Sequence, residues 1–239
     1  MKNLNTGFYQ DLDTNFQIAY ELSEKEFAHS ELVAMLKNGN IPEKQIAALK
    51  LDKIDNQEDA NILINNLTGC DGKIREAVAL KISNLLNADS SIKKFFIYPE
   101  IFADATIDIN GNICRLVLDS VRILKTDESF GEKYLTKIIE FIKEAYGELD
   151  RFIFRDKKYV INKQLFKLYW CLEALKLFVE QIDKKELLEI LKRASEEKEY
   201  TIREKVAQIL LTCDEEEFEP LKKILKSDEN YYVRGTFKY

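Results

Sequence analysis

The chain is poor in the residues that build tight turns, with 8 Gly and 3 Pro in 239 residues. A β-sandwich or barrel needs such residues at frequent turns, whereas helices need few of either, so the composition points to helix. Histidine is scarcer still. His29 is the only one, which excludes a His-rich metal site and makes every Ser-His or Cys-His nucleophile scheme depend on a single imidazole. Between Phe27 and Leu32 it reads as a surface or half-buried helical side chain. Neither Gly-x-Gly-x-x-Gly nor a Walker-type Gly-Lys-Ser/Thr occurs, so nucleotide binding by those routes has no support. No run approaches the roughly 18 apolar residues that span a bilayer, and MKNLNTGFYQDLDTNF lacks the apolar core of a signal peptide. A cytoplasmic protein without a membrane partner is expected. Cys70, Cys114, Cys171 and Cys213 include no Cys-x-x-Cys pair and fall in or beside helical patterns, which predicts free, buried thiols.

The charge is also unbalanced, with 36 Lys and Arg against 42 Asp and Glu and a formal net charge of −6. Global attraction to nucleic acid or an acidic membrane is not expected at that sign. What is present in quantity is core material and a solvating surface, at 46% hydrophobic and 33% charged residues. Among so many carboxylates chance pairs abound, so no catalytic couple can be read from them.

Helix punctuation is legible. Ser23 and Glu26 have capping-box spacing, Asn38-Gly39 reads as a left-handed helix stop, and Pro42 suits a first helical turn. Starts follow at Asp55 with Glu58, Asp183 with Glu186, and Thr201 with Glu204, while Gly69, Gly111, Gly131 and Gly147 read as breaks. The apolar spacing predicts helix pairs at 24–37 with 42–54, 57–68 with 73–87, 91–108 with 112–125, 131–146 with 160–181, 184–196 with 202–213, and 215–226 with 230 onward.

The second helices align on Lys44, Arg75, Cys114, Lys167, Arg203 and Arg234. Apolar residues recur one before and three, four, seven and ten after these anchors, which traces one helical stripe on which Trp170 falls. Four positions before the anchors stand Asn40, Asp71, Asn110 and Asn230, each suited to cap a helix, with Lys163 and Glu199 in the other two copies. The anchor spacings are 31, 39, 53, 36 and 31 residues, near the period of helix-pair repeats. The long one marks an insertion or elongated helix pair near 147–162.

Asp71-Gly-Lys-Ile-Arg75-Glu-Ala-Val, Thr201-Ile-Arg203-Glu-Lys-Val and Asp228-Glu-Asn-Tyr-Tyr-Val-Arg234 resemble the start of the second helix in HEAT repeats. The resemblance runs from about residue 24 to the end. It implies an all-α, right-handed α-solenoid of about six stacked antiparallel helix pairs, read as one domain over 1–239. Residues 1–23 form an N-terminal cap segment and 214–239 an incomplete last repeat. In that family an Asp or Asn before the second helix and an Arg near its start tend to form polar ladders. The first copy departs by placing Glu43 before Lys44, the third by placing Cys114 at the basic position and the fourth by its long spacing, and armadillo or tetratricopeptide arrays are the neighbouring alternatives.

The function this resemblance implies is a non-enzymatic scaffold that binds a protein or peptide along a curved surface, with no cofactor and no metal. On the second helices Glu76, Lys81, Arg115, Asp119, Arg122, Glu204 and Gln208 lie off the apolar stripe and face a partner or solvent. The family also contains alkylpurine DNA glycosylases, so the alternative is a nucleic-acid-binding or DNA-processing protein. Its candidate surface is the basic, aromatic stretch 151–167, with Arg151, Arg155, Lys157, Lys158, Lys163 and Lys167 against Asp156 alone. The binding candidates are therefore Arg151, Arg155, Lys157, Lys158 and Lys163, joined by Arg115 and Arg122. A second reading of the stretch is an amphipathic helix whose basic stems cover core edges.

Overall fold

The structure, a computed structural model, describes residues 6–153 and 158–238, with side chains from residue 14 onward and not at Ile153. It is all-helical, with no strand among the described residues. Two compact units divide the chain, Met1–Asp127 and Glu128–Tyr239.

The first unit holds α1 (Thr6–Ser23), α2 (His29–Asn38), α3 (Ile41–Lys50), α4 (Gln57–Ile64), α5 (Gly72–Ala88), α6 (Pro99–Thr106) and α7 (Gly111–Leu124). Here α1 packs on α3, α3 on α5, and α5 on α7, while α2 packs on α3 and α6 on α7. The second unit holds α8 (Glu128–Ile153), α9 (Lys158–Leu175), α10 (Lys184–Ser195), α11 (Tyr200–Leu210), α12 (Glu219–Lys226) and α13 (Tyr231–Gly235). In it α8 packs along α9, α9 meets α11, and α11 meets α13, with α10 and α12 each against the helix that follows.

The caps explain where the second helices begin. Asn40, Asp71, Asn110 and Asn230 each sit at the N-cap, and each side chain accepts a backbone N–H of the first turn. Behind those caps the stripe goes inward: Ile113, Cys114, Val117, Val121 and Leu124 of α7 are buried, as are Ile202, Val206, Ala207 and Leu210 of α11.

The anchors then tie each helix to the turn before it. Arg75, Cys114, Arg203 and Arg234 each donate to the carbonyl six residues earlier, on Gly69, Asp108, Glu197 and Asp228, at 2.8, 3.1, 2.8 and 3.2 Å. The three arginines also bond the next carbonyl, of Cys70, Lys198 and Glu229. These carbonyls have no partner in a helical ladder, and the five-donor guanidinium satisfies two of them from one side chain. The fork's other edge is bidentate to an aspartate ahead of a later helix, Arg75 to Asp108 before α7 and Arg203 to Asp228 before α13.

Several boundaries differ from the sequence expectation. Ser23 ends α1 instead of starting a helix, its hydroxyl donating to Tyr20 O, and α2 begins at His29 with Glu31 accepting the Ala28 N–H at 2.7 Å. Gly39 is extended, with φ of −71°. Its glycine is needed for space, since a Cβ would stand 2.5 Å from Met35 O and 2.8 Å from Glu43 Cβ. The helix expected over 91–108 splits into a 3₁₀ turn, Ser90–Phe95, and α6, because Pro99 starts a helix where its missing N–H costs nothing. Gly131 and Gly147 do not break α8, whose 26 residues run through both. A glycine costs about 1 kcal/mol in a helix, less than the burial of Tyr134, Ile138, Ile142, Ala145 and Leu149 on the face that packs returns. The long anchor spacing thus reflects an elongated pair, α8 with α9. Finally, α9 ends at Leu175 and passes into a 3₁₀ turn, and α11 starts at Tyr200, ahead of Thr201.

Candidate functional site

The side chains that sequence singled out are dispersed. Arg151 is exposed and 3.6 Å from Glu148 on its own helix. Lys158 and Lys163 are exposed on α9, while Arg155 and Lys157 lie outside the described residues. Lys167 pairs with Glu144 at 2.6 Å and lies over the Phe141 ring, so this basic residue spans the α8–α9 seam as a packing element. Arg115 and Arg122, on α7 of the first unit, are exposed. Arg115 donates to Asn112, and Arg122 stands 3.8 Å from Asp119. Acidic neighbours on the same or adjoining helices therefore counter Arg151, Lys167 and Arg122.

A built concavity lies instead between α9 and the start of α11. It is an open hollow of about 520 Å³, with Asn162, Leu165, Phe166, Tyr169 and Trp170 from α9 and Glu199 and Thr201 from α11. The spacing from 162 through 166 to 169 and 170 places these α9 side chains on one helical face. Their rings stand nearly at right angles. Tyr169 and Trp170 cross at 83° with centroids 5.2 Å apart, and Phe166 and Trp170 cross at 71° with centroids 6.2 Å apart. Trp170, expected in the core stripe, is only half-buried, and its indole N–H is buried without an acceptor among the described residues.

Charge around the hollow is arranged in pairs with one exception. Lys205 lies over the Tyr169 ring, 4.8 Å from its centroid, and pairs with Glu173. Burial pulls the Lys205 ammonium down, but the Glu173 carboxylate and the Tyr169 hydroxyl together outweigh it and leave the pKa raised. Arg203 is neutralised by Asp228, whose hydrogen bond also raises the Arg203 pKa. Glu199 makes no ion pair among the described residues, and its carboxylate accepts the Thr201 hydroxyl at 3.2 Å.

Aromatic surface continues past the hollow. Tyr200, between Glu199 and Thr201, stacks on Tyr232 at 5.9 Å, and Tyr232 meets Tyr231 edge-on. Tyr231 and Tyr232 are 59% and 61% exposed and Phe166 38%. The basic, aromatic stretch 151–167 is visible in the sequence, whereas Glu199 and Thr201 stand there only as parts of a helix start. Only the packing of α9 on α11 joins the two segments.

Elsewhere, His29 Nε2 meets the buried Asp59 Oδ2 at 2.9 Å, and with Asp55 these residues place ligand atoms within 4.8 Å of one another. That juxtaposition was not foreseen from a lone histidine. Asp55 is exposed and engaged by Lys53 at 2.8 Å, and Asp59 also accepts from Asn56 Nδ2, so all three are structurally employed. Cys114, Cys171 and Cys213 are buried and in no disulfide, as expected, but Cys70 is exposed. Burial pushes the Cys114 thiol up to about 12 and raises that of Cys213. No described helix is long and apolar enough to cross a membrane.

No family model and no curated protein matches this sequence. Among solved structures, the crystal structure of an engineered protein from the Northeast Structural Genomics Consortium is similar over 89% of this chain and 94% of that chain, at 12% identity and a TM-score of 0.45. A likeness at that level carries no argument about this chain.

Proposed function

We propose that the chain is a non-enzymatic scaffold built of HEAT-like helix pairs, and that it binds a protein or peptide segment on the face formed by the middle of α9 with the starts of α11 and α13. Support for the repeat reading comes from the arginine device, found once in each unit: Arg75 and Arg203 hold the carbonyls six and five residues earlier and reach an aspartate ahead of a following helix, Asp108 before α7 and Asp228 before α13. A ladder of that kind is what the HEAT resemblance implies. Each pair leaves an apolar face that a neighbouring pair covers.

The observation that carries the binding reading is the exposed aromatic band from Phe166 through the hollow to Tyr232 and Tyr231. Aromatic rings exposed together and rimmed by polar groups mark interaction surfaces, and Trp and Tyr are enriched among the residues that dominate interface energies. A peptide partner is favoured over nucleic acid because Arg203 and Lys205 beneath the band are already paired and Arg234, over the Tyr231 ring, is engaged by two backbone carbonyls, while Glu199 makes no ion pair among the described residues. Phosphate contacts need free cations. The basic 151–167 stretch thus becomes the lesser candidate. A cytoplasmic setting with free thiols belongs to the same proposal.

The test is binding of the purified chain to an immobilised peptide array, repeated with Tyr232→Ser and with Phe166→Ser. Saturable peptide binding that both variants lose, with melting temperatures unchanged, is the expected result. Single-stranded oligonucleotide binding with a steep salt dependence and no peptide binding would replace this reading by the nucleic-acid one.

A further inference from the structure

Resting on the peptide-binding reading, we propose that the α9–α11 hollow is a receptor for one cationic side chain of the bound segment, an ammonium or guanidinium held between Phe166, Tyr169, Trp170 and the Glu199 carboxylate. A ring face carries negative potential, and a cation within about 6 Å of it is attracted. Crossing at 71° and 83°, the three rings turn their faces in different directions, and all three line the same hollow. This molecule already uses one of these rings in that way, since Lys205 sits 4.8 Å from the Tyr169 centroid.

The field in the hollow selects a cation. Lys205 is cancelled by Glu173 and Arg203 by Asp228, and Lys163 does not line the space. Glu199 occupies the N-cap position of α11, but its side chain bonds no amide of that helix. It supplies a full negative charge against roughly half a positive charge from the helix N-terminus, so the sum is negative. The Thr201 hydroxyl, donating to Oε1, fixes the carboxylate without neutralising it. An anionic or neutral polar occupant would meet the bare carboxylate. A cation meets both the rings and a charge partner, with much of its hydration replaced.

Trp170 is the only tryptophan in the chain, so its emission reports on the site directly. The full-length protein is titrated at constant ionic strength with tetramethylammonium chloride and, separately, with neopentyl alcohol, a neutral molecule of the same shape. Saturable change with the ammonium and none with the alcohol is expected. Glu199→Gln, which keeps the shape and the hydroxyl contact, should weaken ammonium binding by about tenfold at an unaltered melting temperature. Equal responses to the two probes, or no loss in Glu199→Gln, would overturn the cation site.

A second measurement separates this inference from the reading beneath it. Array peptides that bind are resynthesised with each Lys and Arg replaced by norleucine. Loss at one such position supports the cation site. Undiminished binding throughout overturns it while leaving the peptide scaffold standing. Saturable ammonium binding without any peptide binding keeps the receptor and removes the scaffold.

Discussion

Arg203 joins the turn before α11 to the turn before α13 through one guanidinium: Nε and Nη2 hold Asp228 at 2.8 and 3.1 Å, while Nη1 holds the carbonyls of Glu197 and Lys198. Arg75 does the same with Asp108, Gly69 and Cys70. Both arginines and both aspartates are close to fully buried, so each pair is shielded from the solvent that makes surface ion pairs weak.

Removing one partner should therefore be costly. Arg203→Ala leaves Asp228 buried and uncompensated and frees two carbonyls, which is expected to destabilise by about 3–5 kcal/mol. Arg203→Lys should recover only part of this, because an ammonium cannot serve the carboxylate edge and the carbonyls together. Urea unfolding of both variants measures it. Equal stability of the lysine variant and the native protein would show that the fork geometry is immaterial.

Acid should act through the same pair. The Arg203 hydrogen bond, with help from the Asn230 amide and against the cost of burial, holds the Asp228 carboxyl below its ordinary value. A depressed carboxylate contributes stability that is fully present above the unfolded value, near pH 4, and is lost as pH falls through the folded one. The native protein should lose melting temperature more steeply below about pH 4 than Asp228→Asn does. Parallel pH profiles would count against the linkage.

Two Gly→Ala substitutions should have opposite signs. At Gly39 a Cβ would collide with Met35 O and Glu43 Cβ, so Gly39→Ala should destabilise by about 1–3 kcal/mol. Gly147 lies inside α8 with nothing within 4 Å of an added Cβ, so Gly147→Ala should stabilise by about 1 kcal/mol through helix propensity alone. Thermal melts of the two variants decide.

Thiol chemistry should single out Cys70. It is exposed, whereas Cys114, Cys171 and Cys213 are buried and burial holds Cys114 and Cys213 in the thiol form. A colourimetric thiol reagent should titrate one cysteine in the folded protein and all four after denaturation. Rapid labelling of a second site without denaturant would contradict the packing of α7, α9 or α11.

Charge reversal on α8 and α9 tests the lesser site. Arg151→Glu, Lys158→Glu and Lys163→Glu together change exposed residues, each worth about 0–1 kcal/mol at most. The triple variant should keep its melting temperature and its affinity for array peptides. A large loss of affinity with intact folding would move the site from the hollow to the basic stretch.

Much of the fold was legible because its signals are local. Asn40, Asp71, Asn110 and Asn230 cap helices through bonds to residues two or three positions away, and the stripe behind each anchor is a periodicity of one helix. The misreadings share a cause. Ser23 with Glu26 and Thr201 with Glu204 carry correct capping spacing, yet α1 runs on to Ser23 and α11 starts early at Tyr200. Local propensity of about 1 kcal/mol is overridden wherever packing of a longer segment is worth more.

The hollow was not legible at all. Sequence by itself determined that the chain is helical, where most second helices start, and that an arginine stands one turn inside three of them. Tertiary structure alone decided that Phe166, Tyr169 and Trp170 face Glu199 and Thr201 from some thirty residues away, that Trp170 leaves the core, and that Arg203 and Lys205 are spent on Asp228 and Glu173. The physical reason is range. Caps and periodicity act within a turn or two, whereas a binding space is the gap between two packed helices, and its charge is whatever the pairing on both sides leaves over.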